Sequence, residues 1–488
     1  RILIDDGRTD QNPLVPMPYL DPDVTLRAGS TITNMTGVLG YGFSYYRVQP
    51  TGLLTFTQSN PLANTAVNGD LKFASMNVLN YFTTIDTGAL ICGPSQDMGC
   101  RGADTQDELN RQRAKLLSAI TGIDADVLGL IEIENNVNDD ALIDLVNSLN
   151  AEVGAGTYAY IDTGTIGTDA IKVALIYKPA RVTPVGNYAI LDNSFDPAYQ
   201  DNLNRPSLAQ TFTDNATNGR VTISVNHLKS KGCGGETGGD IDILDGQGCW
   251  NATRTAAAEI LATWLYGDPT GSGSDRFLIM GDLNAYAMED PITALKNAGL
   301  TNLPATFFGN DAYSYSFNGE FGYLDYALAS PGLLPYVSDL GEWHINSDEP
   351  RALDYNDFNQ PFFFQPDQFR ASDHDPVIVG LDLPTMSIVS PANSAVFTST
   401  NGTAVAVPVT ITTTNFTIPT DGHWHIWVDG VELGPVMTYD TSVDLLPGTH
   451  VISATLQSPT HVPLGPVDSV TVTVNIQYVL HLPIIMKP

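Results

Sequence analysis

Basic residues are scarce in this chain: 22 Lys and Arg stand against 54 Asp and Glu over 488 residues, a formal net charge of −32. Sequence-independent nucleic-acid binding normally rests on Lys and Arg that displace counterions. The composition therefore excludes a broad basic surface, and any attraction for a polyanion has to be local or carried by divalent cations. The acidity is spread along the chain and reads as a property of the outer surface, serving solubility or tolerance of high salt. Long apolar runs are missing too, none approaching the ~20 residues of a membrane span. No pattern of a charged, then apolar, then small-residue leader is visible, because Arg1 runs directly into Ile2-Leu3-Ile4. Processing or truncation upstream of Arg1 is the expectation.

Cysteine is limited to Cys92, Cys100, Cys233 and Cys249, two local pairs in loops rich in Gly and Asp. Proximity favours Cys92–Cys100 and Cys233–Cys249 among the three connectivities. The rival is a zinc site, for which no Cys-x-x-Cys spacing or nearby His exists. Disulfides predict an oxidising, extracellular setting.

Length predicts two or three domains. Residues 1–58 carry short strand-like runs separated by turn residues, and 59–70 read as a linker rich in Asn, Pro and Ala. Over 71–383, strand runs alternate with helical patterns, which predicts an α/β domain with a mixed sheet. Thr105-x-x-Glu108 is a capping box opening a helix through Leu109, Leu116, Leu117 and Ile120. Leu142, Leu145, Val146 and Leu149 recur at helical spacing, as do Ala257, Ile260, Leu261 and Trp264. Residues 384–488, rich in Thr, Val, Ser and Pro, predict an immunoglobulin-like β-sandwich. Its expected partners are a cell surface or polysaccharide. The apolar run Tyr478–Pro488 is read as a final strand rather than a sorting or docking tail.

Polar residues close several apolar runs. Asn77 follows Leu71–Met76, Glu132 follows Asp126–Ile131, His227 follows Val221–Asn226, and Asp282 and Asn284 follow Phe277–Gly281. Asp325 sits in Tyr323-Leu324-Asp325-Tyr326, and Ser372-Asp373-His374-Asp375-Pro376 precedes Val377–Leu381. Phosphodiester hydrolysis needs a cation for the phosphate charge, an activated water and a proton donor for the leaving oxygen. Glu132 and Asp373 are hard oxygen donors suited to Mg²⁺ (or Mn²⁺), with Asn77 a neutral third and Glu134 an alternative to Glu132. Asp282 and Asn284, alternate residues, are placed on one face, where they can hold a water; the bland reading is an Asx turn. His227 and His374 are candidates to donate to phosphate, with Asp325 the partner of His374. Arg205, Lys229 and Lys231 are candidate phosphate contacts. Asp169 is a candidate partner for His227, or else for Lys172.

In this order the motifs resemble those of the DNase I-like endonuclease/exonuclease/phosphatase superfamily, over about residues 71–383. The flanking segments Asn77–Phe82, Ile131–Asn136, Gly167–Lys172 and His227–Gly232 resemble secreted bacterial multidomain nucleases. The resemblance implies a four-layer α/β sandwich with a Mg²⁺ site held mainly by Glu132, with Asn77 and Asp373 nearby. It also implies that Asp282 and Asn284 handle the water and phosphate, that His227 and His374 flank the phosphate, and that Asp325 supports His374. Residues 1–58 resemble the C-terminal part of an OB-like module. The expected activity is a secreted nuclease for DNA or RNA with little sequence preference. The alternatives are a phosphomonoesterase or phospholipase acting on inositol phosphates or sphingomyelin, and a non-catalytic surface adhesin.

Two further patterns suggest metal. Asp240-x-Asp242-x-x-Asp245-Gly246 is a candidate structural Ca²⁺ loop, although its spacing is not that of an EF-hand. His423 and His425 share one strand face, but with no third ligand in view exposed sandwich residues are the simpler reading.

Overall fold

The computed structural model describes residues 2–5, 26–52, 54–59, 66–356 and 361–479. The final apolar run from 480, most of the early turn-rich segment (6–25) and linker residues 60–65 lie outside the described residues.

Two six-stranded sheets form the middle of the chain. In chain order the strands are β1 (Leu71–Tyr81), β2 (Val127–Glu134), β3 (Ala159–Tyr160), β4 (Ile171–Tyr177), β5 (Val182–Leu191), β6 (Arg205–Asp214), β7 (Arg220–His227), β8 (Phe277–Asp282), β9 (Thr301–Asn302), β10 (Asp325–Ala329), β11 (Val337–Glu342) and β12 (Val377–Leu381). One sheet has the order β3-β4-β2-β1-β12-β11 and the other β5-β6-β7-β8-β10-β9. The pairs β1–β2 and β7–β8 are parallel and their neighbours antiparallel, so both sheets are mixed.

Apolar residues on both faces of these strands dictate the layers. Phe73, Val127, Ile131, Val173, Val225, Leu278, Met280 and Val379 form the core between the sheets. Helices α1 (Gln106–Ile123) and α2 (Asp140–Val153) cover the outer face of the first sheet, meeting Ala74, Met76, Leu128 and Leu130. Helices α3 (Asn251–Tyr266) and α4 (Asp290–Asn297) cover the second sheet over Phe277, Ile279 and Leu328. Helix, sheet, sheet, helix is the resulting stack.

Helix α1 starts where its capping residues predict. Thr105 is extended, its hydroxyl accepts from Glu108 N at 3.2 Å, and Glu108 in turn accepts from Asp104 N at 2.8 Å. Disulfides join Cys92 to Cys100 and Cys233 to Cys249. In the acidic loop between the second pair, the aspartates bond to nearby backbone and hydroxyl groups. Asp240 caps the first turn of α3 through Thr253 N and Oγ1, each at 2.7 Å, while Asp242 and Asp245 accept from the backbone two residues on.

Beyond Leu383, strands of three and five form two further sheets around one core containing Val407, Val409, Trp424, Ile452 and Val472. Before Leu71, residues Leu3–Ile4, Gly37–Gly42 and Tyr45–Pro50 make a three-stranded sheet. Arg27 fixes this segment to the middle of the chain, pairing with Glu349 at 2.8 Å and donating to His344 O at 2.7 Å.

Candidate active site

The ladder of the second sheet aligns four of the polar residues. Arg205 pairs with His227, His227 with Asp282, and Asp282 with Asp325, each directly across from the next. His227, Asp282 and Asp325 continue the alternation of Val225, Met280 and Ala327, so their side chains share the face that looks toward the first sheet. Gly281 is required in this row. Its φ is +115°, and a Cβ there would meet Asn226 O at 2.3 Å.

The first sheet answers from the other side. A regular strand would turn Glu132 to the outer, helix-covered face, as it does Leu128 and Leu130. The register between β2 and β4 jumps instead: Val173 faces Ile131 and Lys172 faces Ile133, leaving Glu132 as an extra residue with φ +71°. This β-bulge aims its carboxylate inward. There Glu132 Oε1 stands 4.0 Å from His227 Nε2, and Oε2 accepts from Asn80 N at 3.1 Å. Glu134 is held by the 83–84 turn, its Oε2 accepting from Thr83 N, Thr84 N and Thr83 Oγ1, which leaves Glu132 as the carboxylate beside His227. Asn77 is buried, with Oδ1 accepting from Leu79 N at 2.8 Å and its side-chain amide beside the Glu132 carboxylate, whose pKa it lowers.

His374 meets the second sheet across this gap. Its Nδ1 lies 2.8 Å from Asp325 Oδ2, which also accepts from Ser314 Oγ at 2.6 Å, and the Tyr315 ring packs on it at 4.5 Å. Burial alone would lower the pKa of His374, but Asp325, Asp282 and Asp373 together raise it well above its ordinary value. His227 goes the other way: burial, then the charges of Arg205 and His374, hold it well below. Arg205 Nη1 lies 3.3 Å from His227 Nε2, and the same ring nitrogen faces Asp282 Oδ2 at 3.6 Å. Burial pushes Asp282 up to about 7, with the charge of His374 opposing and those of Asp325 and Glu132 adding. Two imidazoles and a carboxyl group thus have their proton affinities driven apart within one cleft.

Asn284 does form the Asx turn, its N donating to Asp282 Oδ1 at 2.8 Å, and the same turn brings its Nδ2 to Asp282 Oδ2 at 3.1 Å. The turn and the site are one feature. Asp169 pairs with Arg205 at 2.9 Å and with Arg101, not with Lys172, which is buried against Asp139. The nearest carboxylate to His227 is Asp282, at 3.6 Å. Lys229 reaches Ser230 Oγ at 3.0 Å and lies over the Trp250 ring at 5.1 Å, whereas Lys231 is tied to Glu289. Arg101, Ser314 and Tyr315 were not evident from sequence.

The donor set fits a divalent cation. Burial and the neighbouring charge of Asp373 raise the pKa of Glu132, a cost that a cation between these carboxylates would remove. Hard carboxylate oxygens are the ligands Mg²⁺ prefers.

The sequence pattern of the Endonuclease/Exonuclease/phosphatase family matches residues 75–374, most of the chain. The chain belongs to this family. Members of the endonuclease/exonuclease/phosphatase family are hydrolases of phosphodiesters or phosphate esters and generally use divalent metals such as Mg²⁺. A comparison with curated proteins gives no match. Among solved structures, the chain is similar to the human Nocturnin catalytic domain with bound sulfate (17% identity, 63% of this chain and 93% of that one, TM-score 0.37). It is also similar to a Bacteroides thetaiotaomicron mannosyl-6-phosphatase (15%, 64% and 99%, TM-score 0.39). A third is D. rerio TDP2 with a single-strand DNA product (13%, 63% and 97%, TM-score 0.38).

Proposed function

We propose that this member of the endonuclease/exonuclease/phosphatase family is a secreted, divalent-metal-dependent nuclease that cuts DNA with little sequence preference. The observation that carries the reading is the cross-strand row Arg205, His227, Asp282, Asp325, faced by Glu132 and His374. Glu132, Asp373 and Asn77 are the residues that would hold the metal. A bound Mg²⁺ neutralises phosphate charge and stabilises the charge that develops during displacement.

The chain's own residues supply the rest. His374, protonated and oriented by Asp325, donates from its free ring nitrogen to a phosphate or leaving oxygen. Asp282, with a proton affinity near neutral pH, takes a proton from the water that Asn284 helps hold. Arg205 bonds His227 and draws phosphate toward the row. Arg101, Arg205 and Lys229 make a local basic edge in an acidic molecule, which supports an extended polyanion as substrate and backbone rather than base recognition. The two disulfides support an extracellular setting.

The domain reading is an OB-like piece over 1–58, a linker over 59–70, the catalytic domain over 71–383 and an immunoglobulin-like sandwich over 384–488 that attaches the enzyme to a cell surface or polysaccharide.

A time course on circular DNA, linear DNA and RNA in Mg²⁺ or Mn²⁺ tests the reading. Cleavage that stops with EDTA, and that falls about 10²-fold in kcat for His374→Ala, is the expected result. Intact nucleic acids in both metals, with phosphate released from a monoester, would assign the phosphomonoesterase instead.

A further inference from the structure

The C-terminal unit brings together three imidazoles that the hydrolytic site does not use. His423 and His425 alternate on the strand His423–Val428, so their rings share a face while Trp424 between them is buried in the sandwich core. The turn between strands Gly448–Gln457 and Pro463–Gln477 carries His461 onto the same face. His423 Nε2 and His425 Nε2 lie 3.0 Å apart, and His461 Nδ1 lies 3.1 Å from each.

Hydrogen bonds cannot satisfy this triangle. Each nitrogen presents either a proton or a lone pair, so at least two of the three present the same thing to one another. A single cation accepting three lone pairs removes the conflict. The surroundings prepare the rings for that role. His425 Nδ1 is bonded to Glu432 Oε1, which places the ring proton outward and leaves the Nε2 lone pair facing inward. Burial, then the neighbouring rings of His461 and His425, lowers the pKa of His423, favouring the neutral form that ligates. His461 holds a left-handed φ of +62°, in a turn closed by His461 N donating to Ser458 O at 3.0 Å.

We infer that His423, His425 and His461 form a binding site for a zinc-class divalent transition metal, with three imidazole ligands and a fourth position open to water or an external ligand. Zn–N distances of about 2.0–2.1 Å place such an ion just above the plane of the triangle. Imidazole selects Zn²⁺, Cu²⁺ or Ni²⁺ over Mg²⁺ and Ca²⁺, so this site and the carboxylate site take different ions. Apart from the carboxylate site, the other cluster of His, Cys or acidic ligand atoms among the described residues is Cys233, Glu236 and Cys249, and its two cysteines are bonded to each other. The ion would clip the His461 turn to the strand His423–Val428.

The test uses the full chain without a polyhistidine tag, stripped with chelator, equilibrated with Zn²⁺ and washed, with metal counted by mass spectrometry. Wild type should hold one more Zn²⁺ per chain than His461→Asn, a difference that cancels any zinc bound at Glu132. Asn tolerates the left-handed backbone, and matching circular dichroism establishes that this variant is folded. His423→Gln should lose the same single equivalent, and Glu432→Gln should bind zinc roughly 10- to 100-fold more weakly. Equal zinc content in wild type and folded His461→Asn, or displacement of the bound zinc by equimolar Mg²⁺, would overturn the assignment.

Discussion

Glu342 is a carboxyl group with almost no access to water. Its Oε2 accepts from Tyr313 N at 3.0 Å while Oε1 has no partner, and burial, with Asp375 and Asp325 nearby, pushes its pKa up to about 8. The folded chain therefore binds this proton more tightly than the unfolded chain, whose value is near 4.5. The sign follows: stability is complete below about pH 4.5 and falls as pH rises through 8. A shift of this size is worth on the order of a few kcal/mol. Glu342→Gln should flatten the loss of Tm between pH 5 and pH 8, and parallel curves for variant and wild type would refute the role. Residues of this kind were hard to find in sequence. Asp325 was legible as the partner of His374 because both sit at strand mouths. Ser314 and Tyr315, which hold that pair, lie at the start of the hairpin formed by Tyr315–Phe317 and Glu320–Gly322, whose alternation and Asn318-Gly319 turn mark strands but not the distant histidine they meet.

Among the elements, helices were legible and irregularities were not. The stripe Leu142, Leu145, Val146, Leu149 is buried as its spacing predicts, because a helix needs one apolar face and nothing else. The bulge in β2 left no trace, since Val127 to Ile131 is apolar without interruption and a strand buried on both faces has no alternation to break. Yet that bulge decides which way Glu132 points. It also holds a non-glycine residue at φ +71°, which costs roughly 1–2 kcal/mol, and a carboxylate whose ionisation burial opposes. Glu132→Gly relieves both. The variant should melt at a higher temperature than wild type in metal-free buffer while losing hydrolytic activity; a lower Tm would show that the bulge depends on the Glu132–Asn80 bond. The third histidine of the C-terminal cluster escaped for a related reason, since His461 lies in a turn 36 residues from His425 and only strand pairing brings them together.

At the scale of the molecule, the α/β unit and the C-terminal sandwich are joined through buried atoms. Arg276, next to the first residue of β8, is 1% exposed and donates to Leu464 O of the sandwich at 2.6 Å. Beside it Gly465, at φ +104°, brings its backbone so close that a Cβ would lie 2.3 Å from Asn218 O. Unfolding of the full chain should be one calorimetric transition, and Arg276→Glu, which sets a carboxylate against that carbonyl, should split it into two. Two independent transitions in wild type would show the junction to be weak. The contact also limits which modules can be exchanged. A sandwich exchanged for an unrelated one would have to offer a carbonyl to the same guanidinium and a side-chain-free backbone to the same loop. Replacing either side alone would leave a buried guanidinium without its carbonyl or set a side chain against Asn218 O.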